Sequence, residues 1–394
     1  MKKWGVLPCC LLAAALAARG ETFLVLPFFN ASKSPNLDWV GESLSETVRE
    51  ALAAQGGIAL DRDERLEAYR RLSLRPASLL TKASVIRVGE ALDADTVVFG
   101  SFELVPAPNL PKSRGSLRVT AQILDLRKLL RGPEFVELGA LEDLAMLQNR
   151  LAWRTLQLVM PKSAPSEEEF KKRQGTVRVE AIEYHVRGLL AVSAEQKSKL
   201  FGQAVRIEPR YSQANFQLGK LQWEKKAYKA AADYLAKVAS SDVHFREANF
   251  ILGLCRYRLG EFGGAQDAFQ LVAASVPLNE VLNNLGAAQS RRNNPEALAN
   301  FRRALEGDSA DPDYQFNVGY ALFKQGKLDD AADRFRAVLD RDPEDSEAIT
   351  MLGRCLKKTP MRASELRGEG FERLKENYEE SVYLQLKAML EPKR

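Results

Sequence analysis

The chain has 394 residues, 45% of them apolar and 28% charged, a composition with room for two soluble domains. Two of its five net positive charges, Lys2 and Lys3, lie in the N-terminal segment, and the three that remain are too few to indicate nucleic acid as a partner. Acidic and basic residues interleave along the C-terminal half, as they do on ordinary solvated helix faces.

Residues 1–20, MKKWGVLPCCLLAAALAARG, join two lysines to an apolar run and then to small residues. That order predicts a cleaved secretory signal with Ala15-Leu16-Ala17 before the cut, hence a periplasmic or envelope-associated mature chain. The run from Trp4 to Ala18 is too short to span a bilayer comfortably, so any association with the envelope membrane is expected to be peripheral. Cys9 and Cys10 precede most of the apolar run, which argues against lipid attachment, and both leave with the signal. Cys255 and Cys355 remain, in different repeats of the C-terminal half. A bond between them would cross about three stacked units of roughly 10 Å each, beyond disulfide geometry, so they stay free or one pairs between chains.

Residues 22–30 (TFLVLPFFN) read as a buried strand. Asp38 then opens a helix in which Val40, Leu44, Val48 and Leu52 recur every four residues until Gly56 and Gly57. A short strand at 58–60, an amphipathic helix at 85–92 and a strand at 95–104 follow. Residues 116–126 alternate as a half-exposed strand should, and 141–159 are helical with leucines and Trp153 on the apolar face. This order predicts an α/β sandwich over 21–160 and a linker over 161–177 that opens with Pro161. The blocks VLPFFNAS (25–32), DWVGESLSETVREALA (38–53), ALDADTVVFGSF (91–102) and LRVTAQILDL (117–126) resemble the amino-terminal domain of TolB and its CsgG-like and FlgO-like relatives. The resemblance implies a fold but no catalytic residue.

Beyond residue 178 the chain repeats itself. Gly219, Gly253, Gly286, Gly319 and Gly353 recur every 33 or 34 residues, each after an aliphatic residue. In phase run Phe201, Leu235, Phe269, Phe301 and Phe335, while Pro209, Pro277 and Pro343 end units. A small residue lets two helices approach, a large one fills the gap beside it, and Pro stops the second helix. The period and the residues Val318-Gly319, Leu322, Gly326, Ala331, Phe335, Val338 and Pro343 resemble the tetratricopeptide repeat. The resemblance implies an all-α superhelix, or α-solenoid, over 178–394, with good units at 212–245, 246–278, 279–311 and 312–345 and degenerate ones at 178–211 and 346–394. Arrays of this kind bind proteins.

Sites for chemistry are scarce. His185 and His244 are far apart and read as surface or groove residues, and Asp329-Asp330 suits a helix start. No phosphate loop, dinucleotide fingerprint, nucleophile elbow or HExxH occurs, so neither an enzyme, nor a cofactor, nor a metal is expected. Instead, positions i, i+4 and i+7 of each first helix point to the concave side. They give the rows Phe216, Lys220, Trp223; Phe250, Leu254, Tyr257; Asn283, Ala287, Ser290; Phe316, Tyr320, Phe323; and Thr350, Arg354, Lys357. From these, Phe216, Lys220, Trp223, Phe250, Tyr257, Phe316, Tyr320, Phe323, Arg354 and Lys357 are the candidate groove for a protein or peptide, with its acidic part near Arg354, Lys357 and Lys358. Some of these aromatics are equally expected to pack against neighbouring units. The expected function is an envelope scaffold or adaptor. The alternative is a sensor whose N-terminal domain binds a small ligand or another subunit and signals through the repeats.

Overall fold

Alternation along the first strand sets the N-terminal architecture. In the computed structural model, which describes residues 21–32, 34–76, 78–105, 115–173, 175–359 and 370–390, Phe23 and Val25 face one core while Leu24 and Leu26 face another. The strands are β1 (Thr22–Val25), β2 (Phe29–Asn30), β3 (Ile58–Ala59), β4 (Thr96–Val105), β5 (Ser116–Asp125) and β6 (Leu130–Ala140). They form one sheet in the order β3-β1-β4-β5-β6, with β2 also beside β4. β1 runs parallel to β3 and β4, whereas β4, β5 and β6 form an antiparallel meander.

Helices cover both faces. α1 (Asp38–Ala54) and, after β6, α4 (Leu144–Val159) put Val40, Leu44, Val48, Leu52, Leu147 and Leu151 on the face of Phe23 and Val25. α2 (Arg62–Arg71) and α3 (Lys82–Ala91) put Tyr69, Val85 and Val88 on the other. Fully burying one such side chain contributes about 1.5–3 kcal/mol. The sandwich is therefore three layers deep. Three elements had not been expected from the sequence: β6, α2, and a helix α5 (Glu167–Arg173) within the stretch read as linker. Phe170 of α5 is buried in the same core as α1 and α4.

The C-terminal half is a row of helix hairpins: α6 (Val179–Leu190) with α7 (Ala194–Ile207), α8 (Ser212–Glu224) with α9 (Tyr228–Leu235), and α10 (Phe245–Arg258) with α11 (Phe262–Ala273). α12 (Asn279–Arg291) with α13 (Ala297–Gly307) and α14 (Pro312–Lys324) with α15 (Leu328–Leu339) complete it. The glycine series works by contact. A Cβ on Gly253 would lie 2.7 Å from the Phe269 ring, and one on Gly286 2.8 Å from Phe301. Gly188 does the same against Phe201, so the first hairpin uses the rule at a position outside the recognised series. Val179, Ile182 and Val186 of α6 also join the N-terminal core, which ties the array to the sheet domain.

The end of the chain departs from expectation. After α16 (Ser346–Leu356) the described residues supply no packed second helix, and a Cβ on Gly353 would meet nothing within 4 Å. Among the described residues, α16 is therefore not paired in a hairpin as the earlier first helices are. Residues 370–379 run extended, and α17 (Glu380–Leu390) follows. Cys255 and Cys355 are free and buried. Burial pushes the Cys255 thiol up to about 12 and raises that of Cys355, and it leaves neither of these two sulfurs exposed for pairing between chains. Among the described residues, no helix is long and apolar enough to cross a membrane. The signal segment 1–20, with Cys9 and Cys10, lies outside them.

Candidate functional site

The groove lined by the first helices of the hairpins holds the chain's own residues 371–378. Two asparagines two residues before their glycines, Asn284 of α12 and Asn317 of α14, each grip one residue of this segment by its main chain. Asn317 Nδ2 donates to the Arg373 carbonyl at 2.7 Å, and the Arg373 N–H donates to Asn317 Oδ1 at 2.8 Å. Asn284 Nδ2 donates to the Lys375 carbonyl at 2.7 Å, and the Lys375 N–H returns to Asn284 Oδ1 at 2.9 Å. Asn283 Nδ2 adds a bond to the Arg373 carbonyl at 2.8 Å, and Asn317 Nδ2 also reaches Asn283 Oδ1 at 2.7 Å. All three asparagines are fully buried, and their amides are satisfied mainly by the segment and one another.

Side chains of the segment alternate between pockets and carboxylates. Glu372 is buried: Ser290 Oγ donates to it at 2.6 Å, the Tyr257 hydroxyl lies at 3.5 Å and Lys324 Nζ at 3.8 Å. Burial holds the Lys324 amine below its ordinary range, and the Glu372 charge opposes that shift. Leu374 packs between two hairpin cores. Arg373 lies 3.8 Å from the Phe316 ring centroid and bonds Asp345 at 2.7 Å and Glu347 at 3.0 Å. Lys375 reaches Asp311 and Asp313, each at 2.7 Å. Burial lowers both cations' pKa, yet these carboxylates outweigh it and raise them. Asp311 and Asp345 also cap α14 and α16, so one carboxylate serves a helix end and the groove together. Phe371 meets Tyr320 edge-on, and Tyr378 stacks on Phe250 with centroids 4.9 Å apart.

Of the residues read from the sequence, Phe250, Tyr257, Phe316 and Tyr320 come together around the segment. The others do not. Phe216 stacks on His244, Lys220 pairs with Glu247 at 2.8 Å, and Trp223 lies against Tyr228. Phe323 is buried beneath the Arg354 guanidinium, and Lys357 is exposed. The segment's cations Arg373 and Lys375 meet the helix-capping aspartates Asp345 and Asp311, carboxylates that the sequence reading did not include in the groove. Asn284, Asn317 and Lys324 were missed. The signal for the asparagines was their equivalent place in successive units.

A second concavity, a cleft of about 1320 Å³, opens beside α1 and the first hairpins and is lined by Glu46, Glu50, His185, Tyr211, Asp242 and His244 among others. His185 is therefore not a surface or groove residue, whereas His244 is partly exposed and lines this cleft. The sheet domain docks over them, which sequence periodicity does not reveal. His185 is 94% buried; its Nδ1 lies 3.3 Å from the Tyr211 hydroxyl, and its Nε2 has no partner among the described residues. His244 stands 3.1 Å from Asp242. Among the described residues, no group of three or more His, Cys, Asp or Glu side chains is placed to hold a metal ion.

Burial lowers the His185 pKa to about 4, against the pull of Glu46 and Asp242. The unfolded chain then binds more protons than the folded one between pH 6.5 and about 4, so stability falls as pH drops through that window. The loss is about 3 kcal/mol in all. His244 has its pKa raised: burial opposes, but the Asp242 bond and the Glu50 charge prevail, so its contribution is lost in the opposite direction, as pH rises. Comparing wild type with His185→Phe isolates the first effect. Urea melts at pH 7 and pH 4.5 should show the variant losing less stability on acidification than wild type.

Residues 287–346 and 319–359 match the family model of the tetratricopeptide repeat. Protein CTR9 homolog of Arabidopsis thaliana is 29% identical over 127 residues, or 32% of this chain, which spans only 12% of that protein. Among solved structures, YrrB, described as a TPR protein with an unusual peptide-binding site, is 21% identical over 49% of this chain and 92% of its own, with a TM-score of 0.36. MamA from Desulfovibrio magneticus RS-1 is 20% identical over 42% of this chain and 98% of its own, with a TM-score of 0.37. Within the C-terminal half, residues 287–359 are thus supported as tetratricopeptide repeats, and the hairpins before them share the same paired-helix architecture.

Proposed function

We propose that this chain is a non-enzymatic scaffold or adaptor that holds an extended segment of a protein partner along the concave face of its repeats. One observation carries the reading: that face already holds an extended segment, residues 371–378, by main-chain hydrogen bonds from Asn283, Asn284 and Asn317. Reading the main chain is how a groove accepts a peptide, with pockets adding selectivity. The leader-like residues 1–20 and the TolB-like blocks support export to a bacterial envelope, with the sheet domain as a docking module beside the repeats. The test is photocrosslinking of the full chain in envelope extract with a crosslinker in place of Tyr257 or Trp223. Partner adducts are expected at the first position and not at the second, since Trp223 lies outside the occupied groove. Equal labelling at both would reject the reading.

A second reading, a sensor, is favoured by the cleft beside α1 and the first hairpins, where His185 Nε2 is buried and unpartnered among the described residues. A ligand there would raise the melting temperature of the full chain in proportion to the logarithm of its concentration, and His185→Phe should abolish that rise.

A further inference from the structure

Residues 371–378 traverse the groove against the order of the repeats. Phe371 meets Tyr320 of α14, Glu372 meets Ser290 of α12, and Tyr378 meets Phe250 of α10. Its main-chain bonds at Arg373 and Lys375 come from side chains of α12 and α14, not from a sheet or helix ladder. The contacts of Gly253, Gly286 and Gly319 with Phe269, Phe301 and Phe335, which hold each hairpin together, owe nothing to it. The segment is thus seated on a finished surface, and that surface is specific. It offers one enclosed site for a carboxylate, at Ser290, Tyr257 and Lys324, and two carboxylate clusters for cations on either side of an apolar slot.

We propose that residues 371–378 are an in-chain competitor for the partner's site, and that the partner displacing them presents an extended segment of the same chemistry: aromatic, glutamate, cation, leucine, cation, then an aromatic three residues on. This rests on the scaffold reading above. Tethering gives the in-chain segment an effective concentration on the order of millimolar. A free peptide with identical contacts therefore competes poorly, and a partner succeeds by making further contacts or by binding through more than one segment.

The experiment uses the full chain and a fluorescein-labelled peptide of residues 370–379, GFERLKENYE, read by anisotropy. Two separate variants expel the segment without touching the groove: Glu372→Lys sets a cation beside Lys324, and the pair Arg373→Glu, Lys375→Glu sets anions beside Asp311, Asp313 and Asp345. Circular dichroism melts confirm that each is folded. The peptide should bind both variants at least tenfold more tightly than it binds wild type. The same peptide with lysine in place of its glutamate should lose at least tenfold. Peptide binding to a folded variant no tighter than to wild type would overturn the proposal and make the segment a fixed part of the fold. Failure of the scaffold reading looks different: peptide exchange is intact, yet no protein crosslinks at Tyr257.

Discussion

Replacing Glu42 by Leu should destabilise the N-terminal domain by about 3–5 kcal/mol, the cost of leaving a buried cation without its counter-charge. Arg65, on α2, is 2% exposed. Its guanidinium donates to the Val25 carbonyl and to Ser45 Oγ, each at 3.2 Å, and bonds Glu42 of α1 most closely. Glu42 is itself buried and also takes Arg62 Nε at 3.0 Å. Arg62 is partly exposed and can turn to solvent when the carboxylate goes, whereas Arg65 cannot. The neutral bonds to Val25 and Ser45 solvate the cation only in part, so the penalty falls on Arg65. Urea denaturation followed through Trp39, which is buried on α1 with Glu42, measures it. The double variant Glu42→Leu, Arg65→Met should recover most of the loss, because an apolar pair of similar volume removes both desolvation penalties. If the double variant is no more stable than Glu42→Leu alone, the ion pair is not the cause.

Arg65 also shows why α2 was hard to see in the sequence. The stretch RDERLEAYRR reads as a solvated charged run, and nothing local announces that one of its arginines is the interior partner of a glutamate 23 residues earlier. β6 was hidden for a related reason: Gly132, Pro133 and two glutamates interrupt its alternation, and only its pairing with β5 makes it a strand. The hairpins were legible because one contact, a glycine against a large apolar side chain of the next helix, recurs at a fixed period. The aromatic half of the groove was legible through the same periodicity, which places Phe250 beside Tyr257 and Phe316 beside Tyr320 on a helix face. Its polar half was not. Asn284 and Asn317 sit at a place that carries Ile251 in the α10 unit and Met351 in α16, both packed in the core, and an asparagine there announces a partner without naming it. That partner lies 56 to 91 residues away in a segment with no periodic pattern of its own.

Removing Asn283 and Asn317 together, as the alanine double variant, should loosen residues 371–374 in the groove while leaving the hairpins folded and Lys375 held by Asn284. Each alanine leaves main-chain groups at Arg373 facing an apolar methyl, and an unsatisfied buried polar group costs about 1–3 kcal/mol. The two effects are not independent, because Asn317 Nδ2 bonds Asn283 Oδ1 as well as the Arg373 carbonyl, so either single change already weakens the other asparagine. The pair should therefore cost about 2–5 kcal/mol, with each single variant retaining less than half of the anchoring. Amide hydrogen exchange reads the outcome by position: protection at Arg373, whose N–H donates to Asn317, should fall about thirtyfold or more, since 1.4 kcal/mol is a factor of ten, and less at Lys375, whose N–H still donates to Asn284. Protection in α11, α13 and α15 should not change, because these second helices make none of the groove's hydrogen bonds to the segment. The ion pairs of Arg373 with Asp345 and of Lys375 with Asp311 remain in the variant, and they test the ranking of forces. Partly solvated pairs of this kind each contribute about 0.2–1 kcal/mol and are screened by salt. Loss of these two asparagines should then leave protection at Arg373 that falls further on adding salt, whereas in wild type salt should barely change it.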